Sequence, residues 1–212
     1  MLIFSFRSFL TVAGCIVVTA STVATETTFN SDHVLIIDGK KIFPIGFTMP
    51  PPFDGLTPEG KSGLQELADA GGTFMRTGTS GGDWTPATVE REQQWMDAAA
   101  AHGMYCWPFL RELGSIGTND TRHEALLREV INRFKNHPGL LAWKGVDEPE
   151  WGKHPLPPLL RARDIIRELD PHHPLVGVEP APAVRATANV LAERLDPKAG
   201  LTVQQQVDFV GK

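Results

Sequence analysis

The sequence predicts an α/β fold, a parallel sheet closed into a (β/α) barrel rather than wound open, and three observations carry that prediction. Short apolar runs alternate about six times with stretches of helical spacing, and the runs stay apolar along their length, as strands covered on both faces do. No Gly-x-Gly-x-x-Gly follows the first run, and Thr79-Ser-Gly-Gly-Asp83 after the second lacks that spacing, which disfavours the open dinucleotide-binding version. The run from Leu140 to Val146 stops abruptly on Asp147, Glu148 and Pro149. Proline cannot continue a strand ladder, so this one ends with carboxylates at its exit.

The elements follow in order. Residues 1–24 read as an export signal: a basic start at Arg7, an apolar stretch from Ser8 to Ala20, and small residues at Ala20 and Ala24 for cleavage. The apolar stretch is short for a membrane span. Val12-Ala-Gly-Cys15 is also lipobox-like, which leaves a lipid anchor at Cys15 open beside ordinary release to a secreted or periplasmic location. The mature domain is then 25–212, with no internal linker or repeat, and Asp38-Gly39 between apolar arms predicts a hairpin that precedes the main fold as a lid or plug. Its second arm leads into a strand at 42–48.

Thr57-Pro58-Glu59 predicts a helix start running to about Ala70, with Gly71-Gly72 as its stop. A strand follows at 73–77. Thr85-Pro86 opens a second helix with Val89, Trp95, Met96 and Ala99 inward, and Met104–Leu110 is the next strand. Thr121 and Glu124 have capping-box spacing ahead of a third helix, which leads through His137-Pro-Gly139 into the strand at 140–146. Helices at 159–169 and 184–195 and strands at 174–178 and 207–210 complete the alternation.

A barrel gathers the carboxyl ends of its strands on one rim, here Phe47-Thr48, Arg76-Thr77, Arg111-Glu112, Asp147-Glu148 and Glu179. Arg76 is placed to hold a neighbouring carboxylate ionised and oriented, or else to form a structural ion pair. Trp84, Trp107 and Trp151 lie on or beside rim loops, where a flat ring can stack on the C–H face of a sugar, whereas Trp95 and Trp143 belong in the core. His137 and His172-His173 fall in turns at the opposite end.

Other chemistries are disfavoured. The chain has a net charge of -5 and no Lys/Arg cluster, so nothing offers nucleic acid a docking face. No His-x-x-x-His, Cys-x-x-Cys or Gly-x-Ser-x-Gly pattern supports a metal or serine centre, and no cofactor is implied. Besides Cys15 there is only Cys106, inside an apolar run, which reads as a buried structural thiol. Oligomeric state is not encoded in any pattern.

These residues resemble the clan A retaining glycoside hydrolases, (β/α)8 TIM barrels with secreted bacterial members. Asp38-Gly-Lys-Lys-Ile-Phe-Pro-Ile-Gly-Phe47 looks like their opening hairpin and first strand, and Ala70-Gly-Gly-Thr-Phe-Met-Arg76 like their second strand with its arginine. His102-Gly-Met-Tyr-Cys-Trp-Pro-Phe109 is similar to the third, and His137-Pro-Gly-Leu-Leu-Ala-Trp143 leads into the fourth. The resemblance implies an oligosaccharide, polysaccharide or glycoside as the partner, with Glu148 as general acid/base and Arg76 and Asp147 against the substrate, and their loop positions add Trp84 and Trp151 as stacking platforms. The family has Asn-Glu-Pro where this chain has Asp147-Glu148-Pro149, and a carboxylate accepts hydrogen bonds but cannot donate as an amide does. The family's nucleophile closes a seventh strand, and this sequence stops in what reads as the sixth. The expectation is therefore an incomplete barrel, truncated after about six strands and inactive as isolated. Glu179 is the in-chain candidate for a second carboxyl, and a non-catalytic secreted sugar-binding or cell-surface module is the alternative.

Overall fold

A computed structural model describes residues 25–32, 34–79, 81–149 and 152–178. The expected export signal with Cys15, Trp151, Glu179, and the helix and strand expected at 184–195 and 207–210 lie outside the described residues.

Two sheets organise the chain. The first is antiparallel and small: β1 (Thr27–Phe29), β2 (Leu35–Ile37) and β3 (Lys40–Ile42), with Asp38-Gly39 turning β2 into β3 as the sequence predicts. The second is parallel, with five strands in sequential order: β4 (Gly46–Phe47), β5 (Phe74–Gly78), β6 (Tyr105–Phe109), β7 (Trp143–Asp147) and β8 (Leu175–Val178). Helices α1 (Gly63–Asp69), α2 (Pro86–Ala101), α3 (Thr121–Phe134) and α4 (Leu156–Leu169) connect its strands in turn. A short 3-10 turn, Arg111–Gly114, follows β6.

Burial alternates along β5 and β6. Met75 and Thr77, Cys106 and Pro108 are buried on one face, and Phe74 and Arg76, Tyr105, Trp107 and Phe109 are half-buried on the other. The buried face meets the helices in the main core, where Leu64, Met96, Leu127, Ile131, Phe134 and Trp143 are fully enclosed. Leu35 and Ile37 pack against Leu141, Ala142, Phe74, Tyr105 and Trp107 on the opposite face. The N-terminal sheet is thus a plug in the concave side, fastened where β1 donates from Thr27 N–H to the His172 carbonyl at 3.1 Å, beyond the amino end of β8.

Three local expectations are corrected. The helix expected from Thr57 begins six residues later, because Gly60 takes φ +80° and residues 57–61 close a tight turn whose Thr57 N–H donates to the Lys61 carbonyl at 2.8 Å. Ser62 is the actual cap, accepting from Gln65 N–H. The cap of α3 is Asp120, which accepts from His123 N–H at 3.2 Å, and Glu124 pairs with Arg128 and Arg161 instead of closing a box with Thr121. β4 is two residues long and separate from β3, since 43–45 leave the ladder around Pro44.

Candidate functional site

One face of β5, β6 and β7 brings Arg76, Trp107, Phe109, Lys144 and Asp147 together. Arg76 on β5 pairs in register with Trp107 on β6, and Phe109 on β6 pairs with Lys144 on β7. Three residues further along β7, Asp147 faces back toward β5, its Oδ2 lying 3.7 Å from an Arg76 guanidinium nitrogen and its Oδ1 in an ion pair with Lys144. The guanidinium also lies over the Phe109 ring at 5.3 Å. Arg76 therefore forms its ion pair with Asp147.

Glu148 follows directly. It is half-buried, stands one residue beyond β7, and takes φ +43°, a left-handed conformation that costs energy for any residue with a Cβ. Its backbone carbonyl accepts from Gly152 N–H at 2.8 Å, closing the turn. Arg111, at the start of the turn after β6, is likewise left-handed at φ +50°. Of the four described non-glycine residues with positive φ, Arg111 and Glu148 follow strand exits on the rim, and Asp38 and Lys153 lie in turns.

Trp84, expected on a rim loop, is buried rather than exposed. Trp84 is 1% exposed, inside the main core, with its indole N–H donating to the Phe109 carbonyl at 3.1 Å and its backbone N–H to the Glu112 carboxylate at 2.6 Å. It has no free ring face, so the stacking role expected from its loop position is corrected. Those two hydrogen bonds pull it inward and fix the loop to the end of β6. Trp107 is half-buried on the concave face, edge-to-face with Phe74 at 5.6 Å, and its indole nitrogen has no hydrogen-bond partner among the described residues.

Sequence reasoning missed two ionisable groups. Lys144 is mid-strand and 2% exposed, with its ammonium 4.1 Å from the Phe109 ring centroid and 5.6 Å from that of Trp107. Burial lowers its proton affinity, and the Asp147 carboxylate opposes that. Glu92 on α2 is 1% exposed behind β5, where its carboxyl accepts from the Thr77 hydroxyl at 2.5 Å and from Gly78 N–H at 2.7 Å. Desolvation lifts its pKa from 4.5 to about 7, and the two hydrogen bonds work against the rise. One signal was present: Glu92 falls between Val89 and Met96 on the helix's inward stripe. Gly78 is itself required there, because at φ +82° a Cβ would lie 2.7 Å from the backbone of Phe109.

The expected buried thiol is found at Cys106, whose proton affinity is pushed well up by burial and by nearby Glu92. Among the described residues no group of three or more His, Cys, Asp or Glu is placed to hold a metal. No described helix is long and apolar enough to cross a membrane.

No protein-family model matches the chain, and no curated protein matches it. Solved structures do. An endo-1,4-β-mannanase from Eisenia fetida superposes with a TM-score of 0.52 at 13% identity, covering 84% of this chain and 71% of that one. A glycosyl hydrolase family 2 member from Bacteroides cellulosilyticus gives 0.51 at 18% identity, over 79% of this chain and 23% of the other. An endoglucanase from Pseudomonas stutzeri gives 0.45 at 20% identity, over 63% and 53%. The chain thus spans about half of the endoglucanase and under a quarter of the family 2 protein. At these identities the likeness is one of fold: the sequential parallel sheet with its helices outside is part of a TIM barrel, preceded by an antiparallel hairpin.

Proposed function

We propose that the rim of this partial barrel binds a carbohydrate chain and that Glu148 acts there as the general acid/base of glycosidic bond cleavage. The observation that carries the reading is Glu148 itself: a carboxylic acid at the exit of β7, in a left-handed turn, beside the Arg76–Asp147 pair. In such chemistry the acid protonates the leaving oxygen, and in a retaining enzyme it later deprotonates water. The fold shared with the mannanase and the family 2 hydrolase supports the assignment of substrate class, since both are named for acting on glycosidic bonds. Trp107 and, beyond the described residues, Trp151 are the ring surfaces for sugar.

Asp147 departs from the amide of the resembled family, and its two oxygens already face Lys144 and Arg76. It serves chiefly as an oriented acceptor for a sugar hydroxyl. Retention also needs a second carboxyl about 5–5.5 Å from the first. Asp147, the residue before Glu148, is committed to two cations, so we assign the second carboxyl to another residue. Export through residues 1–24 belongs to the same reading, because polymeric sugars are met outside the cell.

Calorimetric titration of the full chain with cellohexaose and with mannohexaose tests this. Binding of either sugar, retained in Glu148→Gln, is expected, together with reducing-sugar release that the same substitution abolishes if a second carboxyl is in place. Binding without release in the wild type would favour the non-catalytic sugar-binding module. No binding of either sugar overturns the reading.

A further inference from the structure

β7 does not run straight into its carboxylates. Lys144 pairs with Val176 and Asp147 with Val178, so three steps along β7 match two along β8 and the strand bulges between them. Bulges re-aim side chains at strand ends, and they need something to hold the extra residue in place. The Lys144–Asp147 ion pair spans this bulge from end to end.

We infer that Lys144 is a positioning residue of the rim: by bridging the bulge to Asp147 it fixes the left-handed turn in which β7 presents Glu148. The role rests on the sugar-site reading for its use but not for its geometry. Lys144 is anchored rather than swinging, because its backbone carbonyl accepts from Leu110 N–H at 2.8 Å and its ammonium is lodged over Phe109. Asp147 is held from two strands, by Lys144 on its own and by Arg76 on β5. Glu148, the next residue, keeps φ +43°, which persists only where the surroundings over-determine it.

The charged groups acting on the ammonium are Asp147 at the end of β7, Glu148 one residue beyond it and Arg76 from β5, and β6 lays the rings of Trp107 and Phe109 against it. Without Lys144, Asp147 keeps only the looser contact with Arg76, and nothing spans the bulge. The strand is then free to regularise, and a one-residue slip in a strand turns its side chains to the opposite face. Glu148 would leave the rim by that route.

The full chain labelled for NMR reads this directly, with Lys144→Met, Asp147→Asn and the double variant compared against the surface control Lys61→Met. In Lys144→Met the backbone amide signals of Asp147, Glu148 and Gly152 are expected to move well beyond the control. Asp147→Asn should move the same set and lower the pH at which the Lys144 ε-carbon titrates. The double variant should add little to either single one. If wild type binds one of the hexasaccharides, Lys144→Met should weaken it about tenfold through lost pre-organisation. A Glu148 amide that stays within the control range in both single variants overturns the proposal, and so does additivity of the two substitutions. Should Lys144→Met fail to fold, Asp147→Asn removes the same bridge from its exposed side and decides alone. Movement of Glu148 with no sugar bound by wild type sinks the sugar site and leaves the positioning role standing. Sugar binding with Glu148 unmoved does the reverse.

Discussion

The two faces of the five-stranded sheet are built from the same strands by opposite rules. On the convex face Met75, Cys106 and Trp143 are fully buried against helices, and their contribution is dispersion and the removal of apolar area from water. On the concave face Arg76, Trp107 and Lys144 alternate with them at the next positions, and cations lie over rings and against carboxylates. The first face is largely apolar, and the second mixes an apolar cluster under the N-terminal sheet with charged groups nearer the strand exits. The two-residue period of a strand is what lets one segment serve both.

The sharpest way to break this contrast is to empty the convex side. Trp143→Ala removes a fully buried ring and the indole N–H that Asp170 accepts at 2.7 Å, and it should cost about 3–5 kcal/mol in urea unfolding. A loss under about 1 kcal/mol would mean that this face is not the load carrier.

Glu92 tests the contrast from an intermediate position, being a carboxyl embedded in the convex side. Its folded pKa is raised from 4.5 to about 7, so the folded state binds its proton more tightly than the unfolded chain does. Its stabilising contribution is therefore complete below pH 4.5, shrinks between 4.5 and about 7, and is gone above that. The span is on the order of 3 kcal/mol. Glu92→Gln, whose amide can donate to Thr77 and accept from Gly78, should flatten the stability profile across that window and be more stable than wild type at pH 8. Parallel profiles for the two proteins would refute the assignment.

The smallest effect should come from the concave face. Arg76→Met gives up a partly exposed ion pair to Asp147 and a cation–ring contact with Phe109, together about 1 kcal/mol or less. Its thermal midpoint should stay near wild type while any sugar affinity falls. A stability loss as large as that of Trp143→Ala would erase the distinction between the faces.

What could be read from the chain follows the same division. Strand positions, the Asp38-Gly39 hairpin and the gathering of Arg76, Asp147 and Glu148 on one rim all follow from periodicity and turn chemistry, which act over a few residues. The misreadings depend on distant partners. Trp84 is in the core because Phe109 and Glu112, beyond α2, accept its two N–H groups. Lys144 is buried because a ring on the neighbouring strand and a bulge on its own receive it, and a charged residue inside an apolar strand announces neither. The Thr57 helix failed locally, through Gly60, where a capping pattern competed with a turn and the glycine decided it.

The plug in the concave side has a consequence for the order of assembly. Thr25, at the beginning of the described chain, donates its hydroxyl to the carbonyl of Pro138, 113 residues on, and β1 reaches further still, to the turn before β8. On the ribosome this segment emerges before the partners on which it docks. Contacts of such sequence separation carry the greatest loop-closure cost and form late. The first three strands must wait, with Leu35 and Ile37 exposed, until the parallel sheet has assembled to receive them.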